Sequence, residues 1–334
     1  MNAKFPTVLG LDIGGANIKI ATEVGLAVSV PFALWKQPDR LPAVLASLVE
    51  TSAKIRDFAE IAVTMTGELC DCFTTKREGV NRILDAVEFA AVGKPVRVWS
   101  TGGSWLSVMD ARLSPLAVAA ANWHALATFA GRFAPLGKAL LVDIGSTTTD
   151  IIPLENGTPV PKGRTDYERL ESGELVYLGI KRTPVMALGL PNVCSEYFAD
   201  MRDVNIVLEL LPEEPDAIDT ADGRPATRPC SLARLARMLG GDMESHSEDH
   251  LRCTANVWVQ HLKGRIVEAI RALVEADSQT MILSGSGEWF GRGAWWRLKD
   301  EIPSKITLAD ELGPEISACA PAYAVAVLAS ERPA

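Results

Sequence analysis

Thr7-Val8-Leu9-Gly10-Leu11-Asp12-Ile13-Gly14-Gly15-Ala16-Asn17-Ile18-Lys19-Ile20 is the stretch on which the fold turns. Thr7 to Leu11 is β-rich, Asp12-Ile13-Gly14-Gly15 interrupts it, and Ile18, Ile20 and Thr22 resume an alternating pattern; strand, tight turn, strand is predicted. The pattern restarts at Ala139, where Leu140-Leu141-Val142-Asp143-Ile144-Gly145 runs through Ser146 to Thr149 into Asp150-Ile151-Ile152. A shift of 131 residues lays Asp12 on Asp143, Gly14 on Gly145 and Lys19 on Asp150, with apolar positions matching on both sides. A repeat of this length points to two lobes built on one plan, residues 1–132 and 133–334.

Between and around the hairpins, strand and helix patterns alternate, the mark of an α/β chain. Ala27 to Phe32 reads as a third strand, Ile61 to Met65 and Val96 to Trp99 as further strands, and Leu41 to Asp57 and Gly79 to Ala91 as helices. Leu116 to Phe129 is expected as one buried helix. A long amphipathic helix is expected from Ser245 to Asp277, opened by a capping box of Ser245 and Glu248. Thr280 to Leu283 then gives a strand, Ser284-Gly285-Ser286-Gly287 a glycine loop, and Pro321 to Ser330 a closing helix. The proline-punctuated acidic stretch from Pro212 to Pro229 reads as an exposed connection. It fails as a calcium loop, because counting from Asp219 places Cys230 where the twelfth-position Glu belongs.

With 334 residues and 48% hydrophobic side chains, the chain can bury two cores. Its net charge of −9 argues against broad attraction to nucleic acid or anionic lipid, while leaving room for a local basic pocket. The apolar run from Lys4 through Val8 to Leu11 meets Asp12 too soon for a signal peptide, so a cytoplasmic location is expected. Leu113 to Gly131 is uncharged and long enough to raise the membrane question, but Pro115, Asn122 and His124 favour a buried helix in a protein that leaves membranes alone. Six cysteines without a secretory signal read as reduced thiols.

Three glycine loops carry the chemistry. Glycine admits close backbone approach, and successive N–H groups in a tight turn suit phosphate oxygens, with the hydroxyls of Ser146, Thr147, Thr148 and Thr149 adding donors. Asp12 and Asp143 would repel phosphate unaided, so a bridging Mg²⁺ is expected. Neither a Walker loop nor a G-x-G-x-x-G fingerprint is present. Thr64-Met65-Thr66-Gly67-Glu68 follows a strand directly and sets Thr66 and Glu68 at a strand end, where α/β sites form. Lys76, Arg77, Arg164, Arg169, Lys181 and Arg182 supply cations, about half of which are expected to be plain surface charge. His246 and His250 lack the intervening pattern of a zinc helix, Cys70 and Cys72 lack a second thiol pair, and His124 reads as a satisfied core histidine.

Leu11 to Asn17, Val142 to Asp150 and Ser284 to Gly287 together resemble the phosphate-1, phosphate-2 and adenosine motifs of the actin, sugar-kinase and Hsp70 superfamily. That resemblance implies a two-lobed actin-like ATPase fold, ribonuclease H-like and duplicated. More narrowly, Thr64 to Leu69 with Lys76 to Val80, Ala120-Ala121-Asn122-Trp123, and Gly163-Arg164-Thr165-Asp166 with Arg182-Thr183-Pro184 resemble hydantoinase/oxoprolinase-related proteins linked to tetrahydromethanopterin-dependent one-carbon metabolism. The resemblance implies a transferase of methanofuran or methylofuran biosynthesis. In that activity an aminomethylfuran-methyl diphosphate is joined to the phenol of a tyrosine or tyramine derivative, forming an aryl ether and releasing diphosphate.

On this basis Asp12 and Asp143 are expected to position Mg²⁺. Gly14, Gly15, Asn17, Lys19, Ser146, Thr147, Thr148, Gly285, Ser286 and Gly287 would line the diphosphate, and Thr66, Asn122, Arg164 and Arg182 the organic part of the substrates. Glu68 is the expected base, with Asp150 as second choice. Small molecules are the expected partners, and a homodimer is compatible with them. The competing expectations are an ATP-dependent hydantoinase-like enzyme or small-molecule kinase using the same clamp, and a noncatalytic actin-like scaffold.

Overall fold

The computed structural model describes residues 7–331 apart from Arg56; Lys4 of the N-terminal run, and Arg56 within the expected 41–57 helix, lie outside the described residues. The first sheet comprises β1 (Val8–Ile13), β2 (Asn17–Thr22), β3 (Ala27–Pro31), β4 (Glu60–Met65), β5 (Val96–Trp99) and β6 (Trp105–Ser107), in the order β3-β2-β1-β4-β5-β6. The second comprises β7 (Lys138–Ile144), β8 (Thr149–Glu155), β9 (Thr158–Pro159), β10 (Leu175–Val176), β11 (Ser278–Ser284) and β12 (Ser304–Thr307), in the order β10-β8-β7-β11-β12, with β9 on β8. In the first sheet β1 is antiparallel to β2 and parallel to β4, which is parallel to β5. The same relations link β7 to β8 and β11, and β11 to β12. The repeat read from two tripeptides is thus a duplication of strand order and direction, a two-lobed actin-like α/β fold.

Strand alternation decides which way the aspartates face. In β1, Leu9, Leu11 and Ile13 pack into an outer core with Leu41, Leu45 and Val49 of the Leu41–Ile55 helix and Val80, Ile83 and Val87 of the Lys76–Ala91 helix. The alternate residues Val8, Gly10 and Asp12 therefore look inward. In β7, Leu140, Val142 and Ile144 join the outer core of the second lobe, beneath the Glu248–Leu273 helix, while Ala139, Leu141 and Asp143 face inward. Two helices fill the space between the sheets. Asn122–Ala130 presents Leu126 and Ala127 to the second sheet and Ala125 and Phe129 to the first. Ala320–Glu331 lies against β1, so closely that a Cβ on Gly10 would fall 1.9 Å from the Ala322 carbonyl oxygen. Last in the chain, this helix packs on the first sheet through Ala324, Val325 and Leu328, and chain order and lobe membership part company at Ala320.

Several local expectations are corrected. The 116–129 helix is two pieces, Pro115–Val118 and Asn122–Ala130, because Ala120 adopts a left-handed conformation (φ 48°) between them. The long helix runs Glu248–Leu273 and is capped by Ser247, whose hydroxyl accepts from the His250 amide; Ser245 instead bonds to Asp242. The 212–229 connection is exposed over most of its length, as expected, and is in addition pinned by ion pairs. Asp219 receives Arg202, and Asp222 receives Arg224, Arg234 and Arg237; against the upward pull of burial, Arg224 and Arg234 hold the Asp222 carboxyl well below the usual range, and the buried Arg234 needs this counter-charge. All six cysteines are free thiols, and among the described residues no helix is long and apolar enough to cross a membrane.

Candidate active site between the lobes

The two hairpin turns are the same object twice. Gly14 N donates to Asn17 O at 3.0 Å, and Gly145 N to Thr148 O at 2.8 Å. Asp12 stands opposite Lys19 across the first hairpin, and Asp143 opposite Asp150 across the second. Each turn is clamped from behind. Leu34 N bonds to Gly15 O, while Ile180 N reaches Gly145 O and the amides of Lys181 and Arg182 both reach Ser146 O. The 284–287 loop closes on the second turn, since Gly287 N donates to Ile144 O and a Cβ on Gly285 (φ +89°) would sit 2.4 Å from Asp143 Oδ1. Only glycine combines that dihedral with that approach.

The hairpins share one cleft. Lys19 lies 3.9 Å from Asp12 and also lowers the pKa of Asp143 on the other lobe. Burial raises Asp12, with Lys19 offsetting part of it. Burial and then the facing Asp150 push Asp143 up to about 7. Asp12 Oδ1 and Asp143 Oδ1 are both enclosed and without a hydrogen-bond partner. Orphaned carboxylate oxygens of this kind fit an oxygen-binding divalent cation. No group of three or more His, Cys, Asp or Glu able to hold a metal occurs among the described residues, so such an ion would complete its shell with phosphate oxygens and water.

A second set of charges continues the cleft. Thr66 and Gly67 follow β4, their amides bonding to Ile13 O, and deliver Glu68 to its place. Glu68 is 1% exposed, and neither of its oxygens closes a hydrogen bond. Burial pushes its pKa up to about 7, and its own amide and Lys76 offset that only in part. Lys76 Nζ lies 4.0 Å from Glu68 Oε1 and 3.0 Å from Asp166 Oδ2, which belongs to the other lobe. Asp166 opens the Asp166–Ser172 helix, which Thr165 and Glu168 start with a capping box. Arg169 of that helix is buried, pairs with Asp150, lies 3.8 Å from Asp166 and stacks at 4.2 Å on Trp123. Burial raises Asp150, Arg169 offsetting part of it.

The structure brings Gly14, Gly15, Asn17, Lys19, Asp12, Asp143, Ser146, Thr147, Thr148, Gly285, Ser286 and Gly287 to the facing turns, with Thr66 beside Gly14. Arg182 is exposed and lies over Trp35 of the first lobe at 5.0 Å, at the cleft edge. Asn122 spends its Oδ1 on the Trp123 amide, and Arg164 is exposed, its charge felt by His124. His124 accepts from Trp99 Nε1 and is held to a pKa of about 4 by burial, as befits a core histidine. Lys76 and Asp166 stand in the family-like motifs of the sequence and Arg169 among its cations, but no role is expected there for Asp166 and no pairing of it with Lys76. Yet Lys76 in the first turn of a helix is placed against the dipole, and Thr165-x-x-Glu168 marks a helix start; both signals were legible.

Known proteins agree with this architecture. An acetone carboxylase in its nucleotide-free form superposes with a TM-score of 0.55 at 11% identity, covering 96% of this chain and 70% of that one. A ROK family glucokinase from Streptomyces griseus, solved with glucose and AMPPNP, gives 0.50 at 13% identity over 98% of this chain and 100% of that one. In sequence, a Methanocaldococcus jannaschii protein named (4-{4-[2-(gamma-L-glutamylamino)ethyl]phenoxymethyl}furan-2-yl)methanamine synthase is 35% identical over 97% of this chain and 98% of its own. The synthase of that name from Methanococcus vannielii is 34% identical over 57% of this chain and 90% of its own. The hydantoinase/oxoprolinase family model matches residues 60–331, from β4 through the final helix, and takes in the second hairpin, Glu68, Lys76 and Asp166. The chain belongs to the hydantoinase/oxoprolinase family.

Proposed function

We propose that the chain is a transferase of methanofuran-type cofactor biosynthesis, joining an aminomethylfuran-methyl diphosphate to a phenol as an aryl ether and releasing diphosphate. The observation that carries this is the near full-length kinship with a synthase whose name describes that phenoxymethylfuran. The geometry supports it: two glycine turns with unpartnered carboxylate oxygens face one cleft, and a buried Glu68 whose oxygens make no hydrogen bond, with Lys76 4.0 Å away, lies along its continuation. It works on dissolved small molecules in the cytoplasm.

In this scheme Asp12 and Asp143 would hold Mg²⁺, which would supply charge stabilisation to the leaving diphosphate. Amides of the Gly14–Gly15 and Ser146–Thr147 turns, with Lys19, bind and orient the diphosphate oxygens. Glu68 takes the phenolic proton as the methylene carbon passes from diphosphate oxygen to phenol oxygen. A carboxyl with a pKa near 7 is matched to that task at neutral pH.

The test is incubation with the furan diphosphate, Mg²⁺ and tyrosine, tyramine or γ-glutamyltyramine in separate arms, with products weighed by mass spectrometry. An ether in any arm with equimolar diphosphate supports the proposal. ATP turnover with no ether would replace it by the kinase or hydantoinase alternative. Asp12→Asn is expected to raise the Mg²⁺ concentration for half-maximal rate at least ~10-fold, the usual cost of disturbing a metal site; an unchanged requirement removes Asp12 from the metal.

A further inference from the structure

We propose that Lys76 and Asp166 are positioning residues that set the proton affinity of Glu68, with Lys76 divided between two carboxylates and drawn toward Asp166. The inference rests on Glu68 as the base. Lys76 Nζ is hydrogen-bonded to Asp166 at 3.0 Å but stands 4.0 Å from Glu68, beyond hydrogen-bond reach. Its position in the first turn of the Lys76–Ala91 helix is electrostatically poor for a cation, so its partners, not the helix, account for it. The backbone beneath is tightly packed: a Cβ on Gly79 would fall 2.2 Å from the Glu68 carbonyl oxygen.

Among the described residues, Lys76 from its helix, Asp166 from the other lobe, Cys70 from its own loop and Tyr177 from beyond β10 interact electrostatically with Glu68. Burial raises both Cys70 and Tyr177, so near neutral pH these two are uncharged. The charge around Glu68 is therefore decided by Lys76 and Asp166.

The experiment uses the full chain and two readouts. In the resting protein, the infrared carboxyl band absent from Glu68→Gln is titrated in Lys76→Met and in Asp166→Asn. The midpoint is expected to rise by about one pH unit in the first and fall by about one in the second, the lower end of what an adjacent charge does. Lys76→Arg is expected to restore the wild-type midpoint. Shifts of the same sign, or none, overturn the proposal. Lys76→Gln and Asp166→Ser serve if either first variant fails to fold. The acid limb of kcat/KM for diphosphate release is then measured in the same variants. Opposite infrared shifts with a motionless acid limb overturn Glu68 as the base while the tuning stands; an acid limb that moves in step supports both.

Discussion

Glu68 concentrates the conflict between stability and function in this protein. Its pKa is raised from 4.5 to about 7, so between those values the folded chain keeps a proton that the unfolded chain has released. Stability therefore falls as pH rises through that window, by at most about 3 kcal/mol. Glu68→Gln is expected to lose this part of the slope in thermal unfolding measured from pH 4.5 to 8; curves parallel to wild type would show that the carboxyl is not protonated in the fold. The same variant is expected to lower kcat ~10²–10⁴-fold while leaving KM for the diphosphate substrate near its wild-type value. A rise in KM alone would make Glu68 a binding group.

Elements hold these residues through close backbone approaches rather than through side-chain bonds. The Lys76–Ala91 helix meets the Glu68 loop at Gly79, and the 284–287 loop meets Asp143 at Gly285. Gly79→Ala pushes a methyl into backbone, which no rotamer relieves, and is expected to cost roughly 1–3 kcal/mol and to reduce turnover. Gly102→Ala is the control: its nearest neighbour would be the Ser100 hydroxyl at 3.7 Å, so a change within about 0.5 kcal/mol is expected. Denaturant midpoints compare the two, and equal midpoints would mean that the Glu68 loop yields freely. The hairpin turns were legible because they are local, written in Asp-Ile-Gly and set by period-two alternation. The broken helix at Ala120 was not, because alanine favours helix and only the tertiary setting imposes its left-handed conformation.

Across the whole molecule, the two sheets are joined by helices that belong to neither chain half alone. Ala320–Glu331 completes the inner face of the first sheet, covering Val8, Ala62 and Trp99 together with Phe129. A chain ended after Cys319 is expected to lose the near-ultraviolet tryptophan signal of Trp99, packed edge-on to Trp105 at 4.8 Å, and to unfold without a sharp transition. Retention of both would show that the first lobe folds without its last helix. The sheets meet through the buried apolar faces of Asn122–Ala130 and Ala320–Glu331, with Leu126 and Ala127 against Leu141 and Ile152, and polar contacts such as Lys76 with Asp166 and Arg182 over Trp35 supplement that core.

By itself the sequence determined the duplication, the α/β class, the two acidic hairpins and the glycine loop, because each is encoded by residues a few positions apart. It also placed Glu68 at a strand end. Tertiary structure alone decided that Asp12 and Asp143 face each other, that Lys76 is shared across the lobes, and that the last helix serves the first sheet. Those facts depend on which groups meet after residues from 90 (Lys76 and Asp166) to 312 (Gly10 and Ala322) positions apart are brought together, and burial at that meeting is what shifts their proton affinities.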